Sequence, residues 1–332
     1  MIISKTPYRI SFFGGGTDYP IWLQENEGQV LSTTIDKSCY IMADYRNTAF
    51  ETKHSVVWSH IEAVSSISEI LHPAVREGLR MLQFEDKIGL NIHHVGDLPA
   101  RAGIGSSSSF SVGLINCLLH LRGENPSNYD LAIKAIDLEH SWLKENVGYQ
   151  DQIAVSYGGF NVIKFTGGSD FEIEPIKISK AKVESLQSKL LLVYTGASRI
   201  GSEVAGQMLE NADSNSSTLR NLRDMVDQGT KILSSDSPIN DFGDLLNQAW
   251  FAKKQLASNI TSKRVDDIYD RAMESGAIGG KLLGAGGSGF MLLFVPENKQ
   301  EKLISALSDC TTSSISLESN GTEIIYNNQQ II

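Results

Sequence analysis

The sequence predicts an α+β protein of two domains, residues 1–185 and residues 186–332. Its 332 residues suit two domains of ordinary size, and a hydrophobic content of 41% is sufficient for packed cores. Strand patterns separated by turns dominate the first part, whereas long helical patterns alternate with strands after residue 185. We expect the second domain to be a layered structure in which helices cover a sheet.

Composition also limits the partners. The net charge of −10 argues against nucleic acid, because a phosphate backbone requires a basic surface. The three cysteines have no metal-ligand spacing, and their odd number favours a reducing, cytoplasmic compartment. No long apolar stretch resembles a signal peptide or a membrane span. We therefore expect a soluble cytoplasmic protein without membrane or nucleic-acid partners. A homodimer is compatible with the sequence, which does not determine the oligomeric state.

The elements follow from periodicity and turn residues. In the first domain we predict strands over 2–13, 55–59 and 88–95, two strands within 29–46 around a turn at 36–38, two within 159–178, and helices over 73–83, 110–121 and 127–144. Pro73 begins one helix, and Ser127 with Asp130 forms a capping pattern before another. In the second domain we predict a strand over 190–195, helices over 201–212, 216–234, 241–258, 264–275 and 297–308, a strand–glycine loop–strand unit within 277–295, and two short final strands.

The segment 99–112 predicts an anion site. A glycine-rich turn runs into four serines and then into an apolar helix. Small residues let an anion approach the backbone, and the free N–H groups and dipole of a helix N-terminus favour negative charge. Serine hydroxyls add donors and can bind Mg²⁺. The expected ligand is a phosphate with magnesium, and a serine-rich linker is the structural alternative. The residues are Gly103, Ile104, Gly105, Ser106, Ser107, Ser108 and Ser109.

A second glycine-rich segment, Gly14-Gly15-Gly16, follows the first strand and leads into Thr17 and Asp18. A hydroxyl next to a carboxylate suits polyol recognition, and a plain turn is the alternative. Arg9 lies in the strand itself, where an arginine is expected on a solvated face or in an ion pair.

Two acids lie on either side of Gly148. Glu139 lies at the edge of a helical apolar face, and its residue type alone predicts a solvated acid. Asp151 lies between two glutamines, ahead of an apolar run. It is either an acid at a helix N-terminus or a carboxylate placed for chemistry.

A third glycine-rich segment, Gly284 to Gly289, matches the pattern G-x-G-x-x-G. It precedes a strand instead of a helix, and only 43 residues follow it, so we exclude a dinucleotide-binding domain. The pattern G-x-x-x-x-G-K-[ST] is absent from the sequence, which excludes a Walker-type nucleotide site. Three glycine loops, a serine-rich loop and two acids together favour phosphoryl transfer, which depends on positioning and charge neutralisation. Asp151 and Arg9 are the candidates for handling the proton of the acceptor hydroxyl.

Three segments resemble, in order, the three motifs of the GHMP small-molecule kinases, which include galactokinase, homoserine kinase, mevalonate kinase and phosphomevalonate kinase. They are P-Y-R-I-S-F-F-G-G-G-T-D-Y from residue 7, P-A-R-A-G-I-G-S-S-S-S-F-S-V from residue 99 and G-K-L-L-G-A-G-G-S-G from residue 280. Within the family, the segments G-G-G-T-D and G-Y-Q-D-Q are most similar to D-glycero-D-manno-heptose 7-phosphate kinases, and next to fucokinases. The resemblance implies a ribosomal-protein-S5-like N-terminal domain, a ferredoxin-like C-terminal domain and an active site between them.

The resemblance also implies a role for each candidate residue. Residues 103–109 would wrap the phosphates of ATP, and Ser107 and Glu139 would bind Mg²⁺. Asp151 would be the catalytic base on the sugar hydroxyl, and Arg9 would keep it ionised. The acceptor would be bound by Gly15, Gly16, Thr17, Asp18, Arg199, Lys281, Gly286 and Gly287.

One departure from the family bears on the substrate. Galactokinases have Gly-Glu-His where this sequence has three glycines, so the pocket should be roomier and suits a longer, phosphorylated sugar. Its phosphate needs cations, of which Arg199 is the first candidate, followed by Lys281 and Lys37. We predict phosphorylation of the anomeric hydroxyl of D-glycero-D-manno-heptose 7-phosphate to the 1,7-bisphosphate, for nucleotide-activated heptose and surface polysaccharide. The alternatives are a kinase of an unphosphorylated sugar, such as fucose or galactose, and a catalytically inactive sugar sensor.

Overall fold

A computed structural model describes residues 1–168, 170–196, 205–207, 214–318 and 320–328. Its strands are β1 (Ile2–Phe13), β2 (Gly28–Arg46), β3 (His54–Val57), β4 (Ile61–Val64), β5 (Gly89–Gly96), β6 (Phe160–Gly167), β7 (Asp170–Pro175), β8 (Leu190–Tyr194), β9 (Gly279–Leu282), β10 (Phe290–Phe294), β11 (Thr311–Ser314), β12 (Leu317–Glu318) and β13 (Glu323–Asn327). Its helices are α1 (Pro20–Leu23), α2 (Pro73–Met81), α3 (Ser106–Leu121), α4 (Asn128–Asp137), α5 (Gln150–Tyr157), α6 (Lys180–Gln187), α7 (Ser216–Ser234), α8 (Asn240–Lys254), α9 (Lys263–Glu274) and α10 (Glu297–Ala306).

The larger sheet has nine strands, of which six follow the order β13-β1-β2-β5-β3-β4. Strand β2 pairs with β1 on one edge, and on the other it pairs first with β6 and then with β5. The prediction of two strands within 29–46 is wrong, because the chain continues through 36–38 as one strand. The register with β1 shifts there, from Pro7 opposite Ser38 to Arg9 opposite Thr34. An irregularity of this kind bends a strand without reversing it.

Helix α3 lies against β1 and β2, and α4 and α5 pack beside it. It begins at Ser106, four residues before the predicted start, and Gly105 precedes it with a φ of 71°. The serines therefore form the first turn of the helix. The helix predicted over 127–144 ends at Asp137 and continues as a π-helical turn over Leu138–Trp142.

The smaller sheet has the order β11-β8-β10-β9, and all its described pairs are antiparallel. Helix α8 packs against β9 and also contacts β1, and α7 contacts β1 and β2. The ring of Phe242 on α8 meets the rings of Phe12 and Phe13 on β1, each at a centroid distance of 5.1 Å. Aromatic packing of this kind joins the two sheets through the end of β1.

The chain returns to the larger sheet after β11, because β12 pairs with β2 and β13 pairs with β1. The predicted second domain, residues 186–332, therefore includes two strands that pair within the larger sheet. The helix predicted over 201–212 falls almost entirely outside the described residues. None of the described helices is both long enough and apolar enough to cross a membrane.

Candidate active site

A cavity of about 340 Å³ lies where the larger sheet, the start of α3 and the second domain meet. Its walls include Arg9 from β1, Asp18 from the loop after it, Ser107 from α3, Asp151 from α5 and Lys281 from β9. The topology therefore brings all three glycine-rich segments to one place. We call residues 103–109 the Gly/Ser loop, residues 14–18 the Gly-Thr-Asp loop and residues 284–289 the third glycine loop.

The glycines of the Gly/Ser loop allow close packing of the backbone. Gly103 has a φ of 83°, and a Cβ there would lie 2.4 Å from the carbonyl oxygen of Leu283. A Cβ on Gly105 would lie 2.9 Å from Cγ of Arg9. These two positions therefore require glycine on both conformational and steric grounds. The open N-terminus of α3 then faces the cavity, as an anion site needs.

The serines of this loop do not all face the cavity. Ser106 and Ser107 line it, whereas Ser108 and Ser109 are buried. The Ser109 hydroxyl donates to the carbonyl oxygen of Pro7 at 2.8 Å, and the Ser108 hydroxyl donates to Glu139 at 3.0 Å. Ile104 is also fully buried. The side chains of Ile104, Ser108 and Ser109 therefore pack inside the protein and do not make the predicted contacts with a nucleotide.

Arg9 and Asp151 form a bidentate ion pair at the floor of the cavity. Nε and Nη2 of Arg9 donate to the two carboxylate oxygens of Asp151, each at 2.6 Å. Nη1 donates to the carbonyl oxygen of Gly103 at 2.7 Å. The arginine is buried, while 24% of the Asp151 side chain is exposed. The fork fixes the carboxylate's orientation and leaves it open to the cavity. Asp151 also lies in the first turn of α5, as the interpretation of an acid at a helix N-terminus predicts.

Asp18 forms the wall next to this pair and is almost completely buried. Its carboxylate accepts hydrogen bonds from the backbone N–H groups of Gly16, at 3.1 Å, and Gln150, at 3.3 Å. Burial, and next the negative charge of Asp151, raises the pKa of Asp18. Thr17 has a different role from the predicted one. Its hydroxyl donates to the carbonyl oxygens of Gly14 and Gln29, which holds the turn together inside the protein.

Glu139 is fully buried, so the expectation of a solvated acid from its residue type was wrong. Its Oε2 accepts from the Ser108 hydroxyl and from Nε2 of Gln152, while Oε1 has no hydrogen-bond partner among the described residues. Burial is the largest cause that raises the pKa of Glu139, to about 8. The Ser111 hydroxyl also acts on this carboxylate and lowers its pKa, so a cation beside Oε1 would have to displace that hydroxyl.

Hydroxyl and carboxylate oxygens are the ligands that Mg²⁺ prefers, and Ser107 faces the cavity in front of α3. Within the described ranges, no group of three or more His, Cys, Asp or Glu side chains could hold a metal. A magnesium ion would therefore complete its shell with phosphate and water oxygens, which is its usual behaviour. Ser107 and Glu139 are compatible with Mg²⁺ if phosphate and water oxygens supply its remaining ligands.

Two lysines add positive charge to the cavity. Lys281 is buried, and its amine donates to the carbonyl oxygens of Ser11 and Phe12 at 3.1 and 2.8 Å. Burial, and next the charge of Arg9, lowers the pKa of Lys281 to about 7. Lys253 in the last turn of α8 was not predicted. Nothing in the sequence indicates that Lys253 lines the cavity, because lysines near a helix C-terminus are common on protein surfaces.

The other predicted contacts fall elsewhere. Lys37 pairs with Asp36 at 3.2 Å and does not line the cavity. The third glycine loop reaches the cavity through Gly284 and Ala285 instead of Gly286 and Gly287. The N–H of Gly287 donates to the carbonyl oxygen of Ile260, so this end of the loop faces the second domain. Arg199 lies outside the described residues.

Comparison with known proteins agrees with this geometry. The family described as "GHMP kinases N terminal domain" matches residues 70–159, and "GHMP kinases C terminal" matches residues 235–310. The chain is 26% identical over 318 residues to the D-glycero-alpha-D-manno-heptose 7-phosphate kinase of Campylobacter jejuni, covering 92% of this chain and 93% of that protein. It is 27% identical over 328 residues to the bifunctional fucokinase/GDP-fucose pyrophosphorylase of Arabidopsis thaliana, covering 90% of this chain and 30% of that protein.

Solved structures share the fold. A D-glycero-D-manno-heptose 1-phosphate kinase from Bacteroides thetaiotaomicron superposes with a TM-score of 0.80 at 20% identity, over 99% of this chain and all of that one. The galactokinase of Lactococcus lactis, solved with galactose, gives 0.74 at 17% identity, over 97% and 94% of the two chains. Both family domains are thus present, in order. The cavity is lined by the N-terminus of α3 and by the carboxylate of Asp151. The chain belongs to the GHMP kinases, a family of phosphotransferases.

Proposed function

We propose that this kinase transfers the γ-phosphoryl group of ATP to the anomeric hydroxyl of D-glycero-D-manno-heptose 7-phosphate. The observation that carries the proposal is the Arg9–Asp151 pair, which lies where the Gly/Ser loop meets the Gly-Thr-Asp loop. The product would be the 1,7-bisphosphate, which would supply nucleotide-activated heptose for surface polysaccharide. We expect the reaction in the cytoplasm, where ATP is available.

The N-terminus of α3 would bind the phosphates of ATP. Its first-turn N–H groups lack helical acceptors, and the helix dipole favours the negative charge. Ser106 and Ser107 add hydroxyl groups on the same wall. Bound Mg²⁺, held by Ser107 and Glu139, would neutralise charge on the phosphates.

Asp151 would act on the acceptor. The hydroxyl oxygen attacks the γ-phosphorus, the bond from that phosphorus to the β–γ bridging oxygen breaks, and ADP leaves. The proton of the attacking hydroxyl passes to a carboxylate oxygen of Asp151. Arg9 holds this carboxylate in a fixed orientation through its two parallel hydrogen bonds.

The space beside Asp18 supports a large acceptor. A Cβ on Gly15 would lie 3.7 Å from the Ser11 hydroxyl, which is an ordinary contact. Packing therefore does not require glycine at residue 15, and its presence leaves room in the cavity. The similarity to a heptose 7-phosphate kinase along nearly the whole chain supports the same substrate class. The similarity to a fucokinase supports the alternative, an unphosphorylated sugar.

The test is a coupled ADP-release assay with Mg·ATP and a panel of heptose 7-phosphate, mannose 6-phosphate, fucose, galactose and mevalonate. Wild type is compared with Asp151→Asn, and with Asp170→Asn as a control at an exposed acid on β7. We expect turnover of heptose 7-phosphate that falls roughly 10²- to 10⁴-fold in Asp151→Asn only. Turnover of fucose or galactose alone would move the substrate to the alternative. ATP binding without turnover of any acceptor would favour the sugar sensor.

A further inference from the structure

Lys253 and Lys281, the amine pair, have no assigned role in the transfer step. Both line the cavity with Arg9. The Lys253 amine donates to the carbonyl oxygens of Leu282, at 2.9 Å, and Gly284. Each amine therefore has two acceptors among the described residues, although an ammonium group has three donors. One donor of each remains for a ligand.

The acids nearest the amine pair interact mainly with other groups. The acids that face it are Asp151 on α5, Asp18 in the Gly-Thr-Asp loop and Glu145 at the rim. Asp151 already pairs with Arg9, and Asp18 is held by backbone N–H groups. Burial, and next the charges of Lys281 and Arg9, lowers the pKa of Lys253 well below its ordinary value. Burial and mutual repulsion therefore disfavour the charged forms of both amines, and an anion bound between them would offset this effect.

The position of the amine pair indicates which anion. Lys281 is attached to the carbonyl oxygens of Ser11 and Phe12, directly before the Gly-Thr-Asp loop that forms the acceptor wall. The Gly/Ser loop contacts the other side of Arg9, through the bond from Nη1 to the oxygen of Gly103. Lys281 thus reaches the acceptor wall, whereas Lys253 binds the segment whose Gly284 packs against Gly103 of the Gly/Ser loop.

We infer that Lys253 and Lys281 form a second phosphate site, which binds a phosphate group carried by the acceptor. The inference rests on the proposed function, because it gives the acceptor's phosphate a binding site of its own. The phosphate dianion would accept a charge-assisted hydrogen bond from the third N–H group of each ammonium. Since Lys281 has a pKa of about 7, the bound dianion would favour its protonated form, and binding would take up a proton above neutral pH. Arg101, a further cation on the cavity wall, adds to the attraction.

The kinetic test uses Lys253→Gln and Lys281→Gln, since glutamine keeps a donor for the backbone carbonyls and removes the charge. Lys254→Gln is the matched control, because Lys254 is the next residue of α8 and pairs with Asp266 at 3.5 Å instead of lining the cavity. We expect the KM for heptose 7-phosphate to rise roughly 10- to 100-fold in the two variants. The KM for ATP should stay within about threefold of wild type. A rise in the KM for ATP instead would assign the amines to the nucleotide and overturn the inference.

A binding test separates this inference from the choice of sugar. Isothermal titration calorimetry measures inorganic phosphate binding to protein saturated with a non-hydrolysable ATP analogue, which occupies the Gly/Ser loop. We expect binding in wild type and Lys254→Gln, its loss in Lys253→Gln and Lys281→Gln, and proton uptake at pH 8 seen as a buffer-dependent heat. If heptose 7-phosphate is not turned over but this pattern holds, the proposed function fails and the second phosphate site stands with another phosphorylated acceptor. Equal phosphate binding by all four proteins, or by none, would overturn the site.

Discussion

Gly148→Ala should disturb the acceptor site through a single steric contact. A Cβ on Gly148 would lie 1.8 Å from Oδ2 of Asp18, so the carboxylate must move by more than about 1 Å to make room. Asp18 cannot move so far and keep its bonds to Gly16 and Gln150, which already measure 3.1 and 3.3 Å. Hydrogen bonds to charged groups contribute about 1.5–3 kcal/mol each, so partial loss of two should cost about 2–4 kcal/mol.

We expect this variant to melt several degrees below wild type and to show a KM for the acceptor raised roughly 10- to 100-fold. Differential scanning calorimetry and steady-state kinetics measure the two effects. Gly206→Ala is the control, because a Cβ there meets nothing within 4 Å among the described residues. A Gly148→Ala protein with wild-type melting temperature and acceptor KM would refute the claim that Asp18 is fixed in place for acceptor binding.

Three further predictions test other parts of the molecule. Arg9→Lys should lower kcat by about 10- to 100-fold, because an ammonium cannot form two parallel bonds to Asp151 and also bind Gly103. Stopped assays at saturating ATP measure it, and a wild-type kcat would contradict the role of the fork. Gly15→Leu should fold normally, since the Cβ has ordinary contacts, yet raise the acceptor KM by filling the cavity. An unchanged KM would mean that the acceptor does not occupy this space. Burial lowers the pKa of His72 to about 4, so the native state holds it neutral and loses stability as the pH falls from 6.5 towards 4. Urea unfolding at pH 7 and pH 4.5 measures this loss of unfolding free energy, which should be smaller in His72→Asn than in wild type. An equal loss in the two proteins would contradict the role of His72.

Elements with a strong, local pattern were predictable from the sequence. The structure confirms α7 over its predicted 216–234, and β1 over 2–13, to the residue. The start of α3 was missed by four residues, because serine has no apolar periodicity and only the backbone of Gly105 marks the boundary. The long β2 was predicted as two strands for a related reason. Its Asp36-Lys37-Ser38 segment has turn composition, but pairing with β1 on both sides carries the strand through.

The motifs predicted one site for Arg9, Ser107 and Asp151, and these residues line one cavity, but the surroundings of the site residues were not predictable. Burial is a property of the tertiary structure, so residue type alone predicted a solvated Glu139. The hydroxyl that bonds Glu139 belongs to Ser108, one residue along the helix from the predicted ligand Ser107, because Ser108 is buried whereas Ser107 lines the cavity. Lys253 comes from a helix more than 200 residues after Arg9 in the chain. No local pattern could connect it to the cavity.

The residues of β1 from Arg9 to Phe12 join three parts of the site, which are the Gly/Ser loop, Asp151 and Lys281. The backbone N–H of Arg9 donates to the oxygen of Ile104, and its side chain binds both Gly103 and Asp151. The carbonyl groups just after it bind Lys281 from the smaller sheet. One rigid guanidinium therefore determines the separation between the Gly/Ser loop and the proposed base. In the proposed reaction, the alignment of phosphoryl donor and acceptor depends on a central strand of the larger sheet, so substitutions at these contacts should be strongly non-additive.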